Sequence, residues 1–302
     1  MSERTRELEY RHVDVFTQEP LSGNGLIVFP DAGDLTSAAM QRITQEMRQF
    51  ESIFLTPTSD ANRVGARVFT MEEELPFAGH PVLGAACVLH ERLAVAGERE
   101  EWTIALAEGP VKVTTTRRGN GYEATMDQGR PSFGATLGAE LAVRMLTALN
   151  LKEEDLHPGL PLQIVSTGLP YLLVMLASGL ERAAIVQASF DGLLAQAGAK
   201  FVYVFHVATR EGRTWDNDGR VEDIATGSAA GPVGAYLVRY GHERSGAEIV
   251  LHQGRFVGRP SRMLVRVDQA GSDATSVRVT GEVRMVARGA FDADVSTGLA
   301  DV

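Results

Sequence analysis

The sequence predicts a mixed α and β protein made of two similar halves, and three observations carry that expectation. Strand-like and helix-like hydrophobic periods alternate along the whole 302-residue chain. A Gly-led motif followed by an apolar helix occurs twice, with Gly79-His80 falling on Gly227-Ser228 at an offset of 148 residues. Between the two copies lies Gln128-Gly-Arg-Pro-Ser132, a run of turn-forming residues and the best candidate linker. The expected domains are therefore 1–128 and 129–302, with the last strand able to return to the first domain.

Segments 10–17 and 25–29 are rich in Val, Ile and Phe and bounded by Gly and Pro, the pattern of strands. From 35 to 49, Ala38, Met40, Ile43 and Met47 recur mostly at three- and four-residue spacing, which predicts a helix. Strands follow at 52–55 and 66–70, then a helix at 81–92, where Pro81 suits a first turn because its missing N–H costs nothing there. Segments 102–106, 111–116 and 122–126 read as antiparallel strands with Gly-containing turns. The second half repeats the plan: a helix at 137–149, strands at 162–166, 172–176 and 201–208, a helix at 227–240, and strands at 263–267, 277–279 and 283–286. At the same offset Glu74 falls on Glu222, Ala78 on Thr226, Val82 on Ala230 and Leu89 on Leu237. Each half thus reads as a Val-rich strand, an acidic turn, a small-residue Gly motif and an apolar helix. Two such halves facing one another would bring both helix N-termini to a central cleft. Their N–H groups and positive dipole ends would hold an anion there.

Charge and composition remove several classes of function. Lys and Arg number 29 against 39 Asp and Glu, a net charge of −10, which argues against nucleic acid and anionic membrane as partners. A small anionic substrate in a locally positive pocket remains compatible. The uncharged run 159–180 has the length of a membrane span, about 20 residues. Pro161, Gln163, Ser166, Thr167, Gly168 and Pro170 interrupt it, so two short strands joined by Gly168-Leu-Pro170 explain it better. The charged start Met1-Ser-Glu-Arg-Thr-Arg-Glu lacks an apolar segment, so no secretory signal and a cytoplasmic location are expected. A single cysteine, Cys87, excludes an internal disulfide, a CxxC zinc site and a catalytic thiol pair. Seven scattered histidines form no HxH or HxxxH pair, which argues against a catalytic metal. Neither Gly-rich stretch matches GxGxxG or a P-loop, which argues against NAD, FAD and ATP.

The candidate residues each have a plain alternative. Glu51 sits in Gln49-Phe-Glu-Ser-Ile-Phe54, a carboxylate in an apolar strand start. Burial beside Phe50 and Phe54 would raise its pKa and let it shuttle a proton; an edge position facing water is the other reading. His80 stands at a helix start, where the dipole disfavours its protonated form. Asp223, Thr226 and Ser228 are either site residues or caps of the following helix. Glu72, Glu73 and Glu74 read as a solvated turn. Ser228, His80 and Asp223 can be assembled into a hydrolase triad, but Ser228 lies in Thr-Gly-Ser-Ala-Ala and no GxSxG elbow exists.

The motifs in order resemble the PhzF-like phenazine-biosynthesis family, relatives of diaminopimelate epimerase. The resemblance runs through Val13-Asp-Val-Phe16, Ser22-Gly-Asn24, the Glu51 segment and Leu75-Pro-Phe-Ala-Gly-His80-Pro. It continues in Glu222-Asp-Ile-Ala-Thr-Gly-Ser-Ala229, Gln253-Gly254 and Gly258-Arg-Pro-Ser261, and so covers nearly the whole chain. It implies an α+β fold of two similar domains, each a curled mixed or antiparallel sheet around a central helix, with the active site in the interdomain cleft. It also implies a homodimer, no cofactor and a type reaction, the isomerisation of trans-2,3-dihydro-3-hydroxyanthranilate. In that reaction one carboxylate takes a proton from C3 and the proton returns at C1. Carried over, Glu51 is the acid/base, His80, Asp223 and Ser228 handle the polar groups of a small anionic substrate, and Gly79, Gly227 and Asn24 join the binding set. The related two-thiol epimerases need two cysteines, and with only Cys87 that chemistry is ruled out. The chain departs from the family pattern at Phe50 and Arg48 beside Glu51, at Ile224 after Glu-Asp, and at Gly25 after Gly-Asn. The leading expectation is a cofactor-independent isomerase. Its alternatives are a single-base racemase, tautomerase or lyase on the same fold, or a non-catalytic small-molecule binding protein.

Overall fold

The computed structural model describes residues 7–33, 35–93, 97–270 and 273–292. The first six residues of the charged amino terminus lie outside that set. Two units emerge: one runs to Met126 and resumes at Thr280, the other is Asp127–Val279.

Unit 1 contains β1 (Leu8–Val15), β2 (Asn24–Phe29), α1 (Ser37–Met47), β3 (Glu51–Pro57), β4 (Arg63–Thr70), β5 (Glu74–Leu75), α2 (His80–Arg92), β6 (Arg99–Leu106), β7 (Gly109–Arg118), β8 (Gly121–Asp127) and the later part of β16 (Asp273–Phe291). Its strands run β1-β2-β3-β4-β6-β7-β8-β16, and β16 pairs back onto β1, which closes the sheet. α2 packs against β1, β2, β3, β6 and β7 as the central helix, and its residues from His80 to Val88 are buried. All six residues of β2 are buried, because the strand is covered on both faces. Ile27 and Phe29 join Phe54, Phe69 and the α1 residues Ala39, Met40 and Ile43 in one cluster. The alternate residues of β2 face the α2 side. Phe29 stacks on Phe54 with centroids 4.6 Å apart, and Phe54 meets Phe69 edge-on at 5.7 Å. α1 starts where the Thr36 hydroxyl accepts from Ala39 N, and it stops at Arg48 in the left-handed region, φ 53°.

Unit 2 contains β9 (Ser132–Thr136), α3 (Ala139–Ala148), β10 (Gln163–Ser166), β11 (Pro170–Leu176), α4 (Phe190–Ala197), β12 (Phe201–His206), β13 (Glu211–Arg213), α5 (Gly227–Arg239), β14 (Glu248–Gln253), β15 (Ser261–Ala270) and the first part of β16. Strand order is β16-β15-β14-β13-β12-β11-β10-β9, with parallel pairs β11–β12 and β13–β14. α5 is the central helix here. It is buried all round from Gly227 to Val238, which its small and apolar composition permits. The opposite face of β11 and β12 presents Leu172, Val174, Leu176, Val202 and Val204 to a cluster that includes Met145 and Leu146 of α3 and Phe190 and Leu193 of α4. Each unit is thus a curled mixed sheet around a buried helix, the α+β architecture the sequence predicted.

Several details differ from the sequence expectation. Segments 277–279 and 283–286 are one strand, β16, 19 residues long. Gly281 suggests a break, yet the buried alternation Val277, Val279, Gly281, Val283 runs straight through it. The Phe16 ring fills its place, since a Cβ on Gly281 would lie 2.4 Å from Phe16 Cδ1. The two Gly-led helices are both 13 residues long, but α2 is preceded by Gly79 and α5 by Thr226. The structural match is therefore one residue off the sequence offset. Gln128, placed in the linker, is buried and hydrogen-bonded: its amide Nε2 donates to Gly227 O and its Oε1 accepts from the Thr167 hydroxyl. The uncharged run holds two antiparallel strands, β10 and β11. Among the described residues no helix is long and apolar enough to cross a membrane.

Candidate active site

Unit 1 brings Glu51 and His80 together. Glu51 opens β3, beside Leu26 of β2 and across from Thr70 of β4. Paired residues on neighbouring strands share a face, so Glu51 lies on the face of Leu26 and of Asn24 two positions earlier. That is the α2 side, because a Cβ on Gly84 of α2 would touch Leu26 Cδ2. Glu51 is buried, with 11% of its side chain exposed, which removes the water-facing edge reading. Phe54 does not cover it: three residues on, Phe54 points to the opposite face, into the α1 cluster.

His80 is the first residue of α2, held by Gly79 before it and Pro81 after it. Its Nδ1 lies 3.6 Å from Glu51 Oε2, too long for a hydrogen bond but close enough for one to form on a small movement. Its Nε2 is buried with no hydrogen-bond partner among the described residues. Burial drives the imidazole pKa down to about 3, so His80 is neutral at physiological pH. The sequence argument assigned that neutrality to the helix dipole; desolvation is the cause the structure shows.

Unit 2 gathers Asp223, Gly227 and Ser228 at the start of α5. Thr226 is the residue before the helix, but its side chain makes no cap bond; its hydroxyl donates to Asp223 Oδ2. Thr226 therefore does not cap α5 through its side chain. Ser228 Oγ is hydrogen-bonded to Tyr171 OH at 2.7 Å, a phenol in place of the imidazole that a Ser-His-Asp triad sets against its serine. Asp223 N donates to Thr214 O, and the neighbouring Glu222 is clamped by Arg213. Gly79 likewise offers α2 no side-chain cap, so neither helix is capped by the side chain of the residue that precedes it.

The residues that sequence reasoning missed are Tyr171, Gln128 and Thr167, which touch Ser228 and Gly227 directly or through one bond. Tyr171 carried one signal, an aromatic hydroxyl inside an otherwise apolar uncharged run. Gly254 has φ +87°, and a Cβ there would lie 2.2 Å from Arg259 O and 2.7 Å from Ile224 O. Both neighbours are backbone and cannot yield. Gly254→Ala is therefore expected to destabilise the protein by about 1–3 kcal/mol, read as a shift of the urea midpoint at unchanged slope.

Among the described residues no group of three His, Cys, Asp or Glu side chains could hold a metal ion. Cys87 is buried within α2, and desolvation pushes its thiol well above the usual range, so it is neither exposed nor ionised. Glu72, Glu73 and Glu74 are exposed, and Glu74 pairs with Arg67 at 2.6 Å.

Comparison with known proteins shows the family. The family model for phenazine biosynthesis-like proteins, PhzC-PhzF, matches residues 13–289. The chain is 34% identical over 298 residues to the trans-2,3-dihydro-3-hydroxyanthranilate isomerase of Pseudomonas chlororaphis, covering 93% of this chain and 98% of that one. It is also 34% identical over 284 residues to the uncharacterized isomerase YddE of Salmonella typhimurium, covering 90% and 94%. The solved structure of a predicted epimerase from Pseudomonas aeruginosa superposes with a TM-score of 0.89 at 52% identity, covering 94% of this chain and 98% of that one.

Proposed function

The chain belongs to the PhzC-PhzF family of phenazine biosynthesis-like proteins and is an isomerase, and on that premise we propose that it moves a proton on a small carboxylate-bearing substrate by acid/base chemistry at Glu51, with no cofactor. One observation carries the reading: a buried carboxylate 3.6 Å from a histidine that burial keeps neutral. A neutral His80 lends no positive charge to Glu51, so what the two side chains can form on a small movement is a hydrogen bond and not an ion pair. His80 then acts through hydrogen bonds, with one ring nitrogen as donor and the other as acceptor. Asp223, Ser228 and Asn24 bind polar groups of the substrate. The α2 and α5 starts at Gly79 and Gly227 supply N–H donors to negative charge that develops as the proton leaves carbon. The same reading takes the protein to be a cytoplasmic homodimer.

The test is turnover of trans-2,3-dihydro-3-hydroxyanthranilate in D₂O, followed by NMR. One carboxyl that takes and returns the same proton carries part of the original protium to the new position. Expected is an isomerised product with measurable protium there. Recovered substrate of inverted configuration bearing deuterium marks a racemase instead. Absence of any reaction removes this substrate from the proposal.

A further inference from the structure

Gln253 is the last residue of β14, 1% exposed, and three of its four hydrogen bonds go to the residues just before α5. Its Oε1 accepts from Thr226 N at 3.0 Å and from Tyr203 OH at 2.9 Å. Its Nε2 donates to Asp223 O at 2.8 Å and to Thr226 Oγ1 at 3.0 Å. Two of these partners are backbone groups of fixed polarity: Thr226 N–H can only donate and Asp223 C=O can only accept. They settle which end of the carboxamide is oxygen and which is nitrogen. One consequence follows for Thr226. Because its hydroxyl oxygen receives a proton from Gln253, its own hydrogen is directed to Asp223 Oδ2, where the bond is found.

We propose that Gln253 is the positioning residue for Asp223, acting through a directed chain of donors that runs Tyr203, Gln253, Thr226, Asp223. The Gln253 amide holds Asp223 at its backbone carbonyl and, through Thr226, at its carboxylate, so one side chain sets both the place and the rotation of the acid. No residue with only donors or only acceptors can do this. Glutamate has the shape but no Nε2–H groups, and its charge would sit against a carbonyl and near the Asp223 carboxylate. Asparagine is one methylene too short to span β14 to Thr226. The relay itself stands on geometry; its consequence for turnover rests on the proposed role of Asp223.

The experiment is a carboxyl ¹³C-NMR titration of Asp223 in the full chain, in the original protein and in Thr226→Val, Thr226→Ser and Gln253→Glu. Removing a donor from a carboxylate raises its pKa. Expected is an upward shift of about half a unit or more in Thr226→Val, its recovery in Thr226→Ser, and a larger upward shift in Gln253→Glu. The Thr226 variants read the last bond of the chain, and an unchanged titration in a folded Thr226→Val variant overturns the relay. Should Gln253→Glu fail to fold, Gln253→Met, of similar length but with no donor for Thr226 or for the Asp223 carbonyl, decides in its place: an Asp223 titration unchanged there overturns the positioning role of Gln253. Asp223→Asn, assayed with trans-2,3-dihydro-3-hydroxyanthranilate, separates the two ideas. Undiminished turnover in that variant together with shifted titrations refutes the functional role of Asp223 and leaves the relay standing.

Discussion

Replacing Glu51 with glutamine is expected to lower kcat by about 10²–10⁴-fold, the usual range for losing a general acid/base, with ligand affinity and fold almost unchanged. Glutamine keeps the size and shape of the side chain at the start of β3, so the pairing of residue 51 with Leu26 and Thr70 persists. His80 being neutral, no ion pair is lost, and a carboxamide can donate to or accept from either tautomer of the ring. What disappears is the proton carrier. Steady-state kinetics with trans-2,3-dihydro-3-hydroxyanthranilate, alongside a thermal melt by circular dichroism, measures both halves of the statement. Full activity in Glu51→Gln would sink the assignment. Loss of activity together with loss of the folded signal would instead show that the carboxylate is structural. A drop in kcat at preserved KM and preserved melting temperature is the signature of a group that acts on the reacting atoms.

The parts of this protein that the sequence disclosed, and the parts it did not, divide along physical lines. The α1 helix and the strands β1 to β4 were readable because burial imposes a period on them: Met40 and Ile43 mark one helix face, and Val64, Ala66 and Val68 mark one face of β4. β13 was not readable, being three residues whose strand character comes wholly from partners in β12 and β14. β14 alternates buried Ile249, Leu251 and Gln253, but its polar third member hides the strand. α4 is eight residues with Gly192 inside it, too short to show a period against the Ser and Gly that flank it. At the site, Glu51, His80, Asp223 and Ser228 were nameable as residue types in recognisable motifs. Their roles in space were not, because Gln253 reaches Asp223 and Thr226 across 30 and 27 residues, a separation that no local pattern encodes. The same holds for Tyr171, whose partner Ser228 lies 57 residues away.

Arg213→Met is expected to give the largest stability loss of any single substitution near the Asp223 loop, about 3–5 kcal/mol. The Arg213 and Glu222 side chains are each 9% exposed and meet in a two-point contact, Nε to Oε1 at 2.9 Å and Nη2 to Oε2 at 2.6 Å. The remaining donor, Nη1, serves the carbonyls of Leu180 and Ala183 at 2.9 Å and of Glu181 at 3.3 Å. The guanidinium also lies against the rings of Trp215 and Phe256, 4.9 and 4.1 Å from their centroids. Methionine would preserve most of the packing but leave a buried carboxylate without counter-charge and carbonyls without a donor. That loss of charge compensation, not of volume, sets the magnitude. Two comparisons test the cause. Arg213→Met combined with Glu222→Leu should recover part of the loss, because an uncharged pair has no orphaned carboxylate. Arg213→Lys should recover little, because a single ammonium cannot match the two-point geometry or reach the carbonyls together. Urea denaturation of the three variants reads the order directly. Equal losses in the single and double variants would mean that packing, not charge, holds this loop. Glu222 is joined to Asp223, whose N–H bonds Thr214 O, and it bridges to Trp215. Loosening the ion pair should therefore also blur the position of Asp223, and kcat should fall in Arg213→Met even under conditions where the protein remains folded.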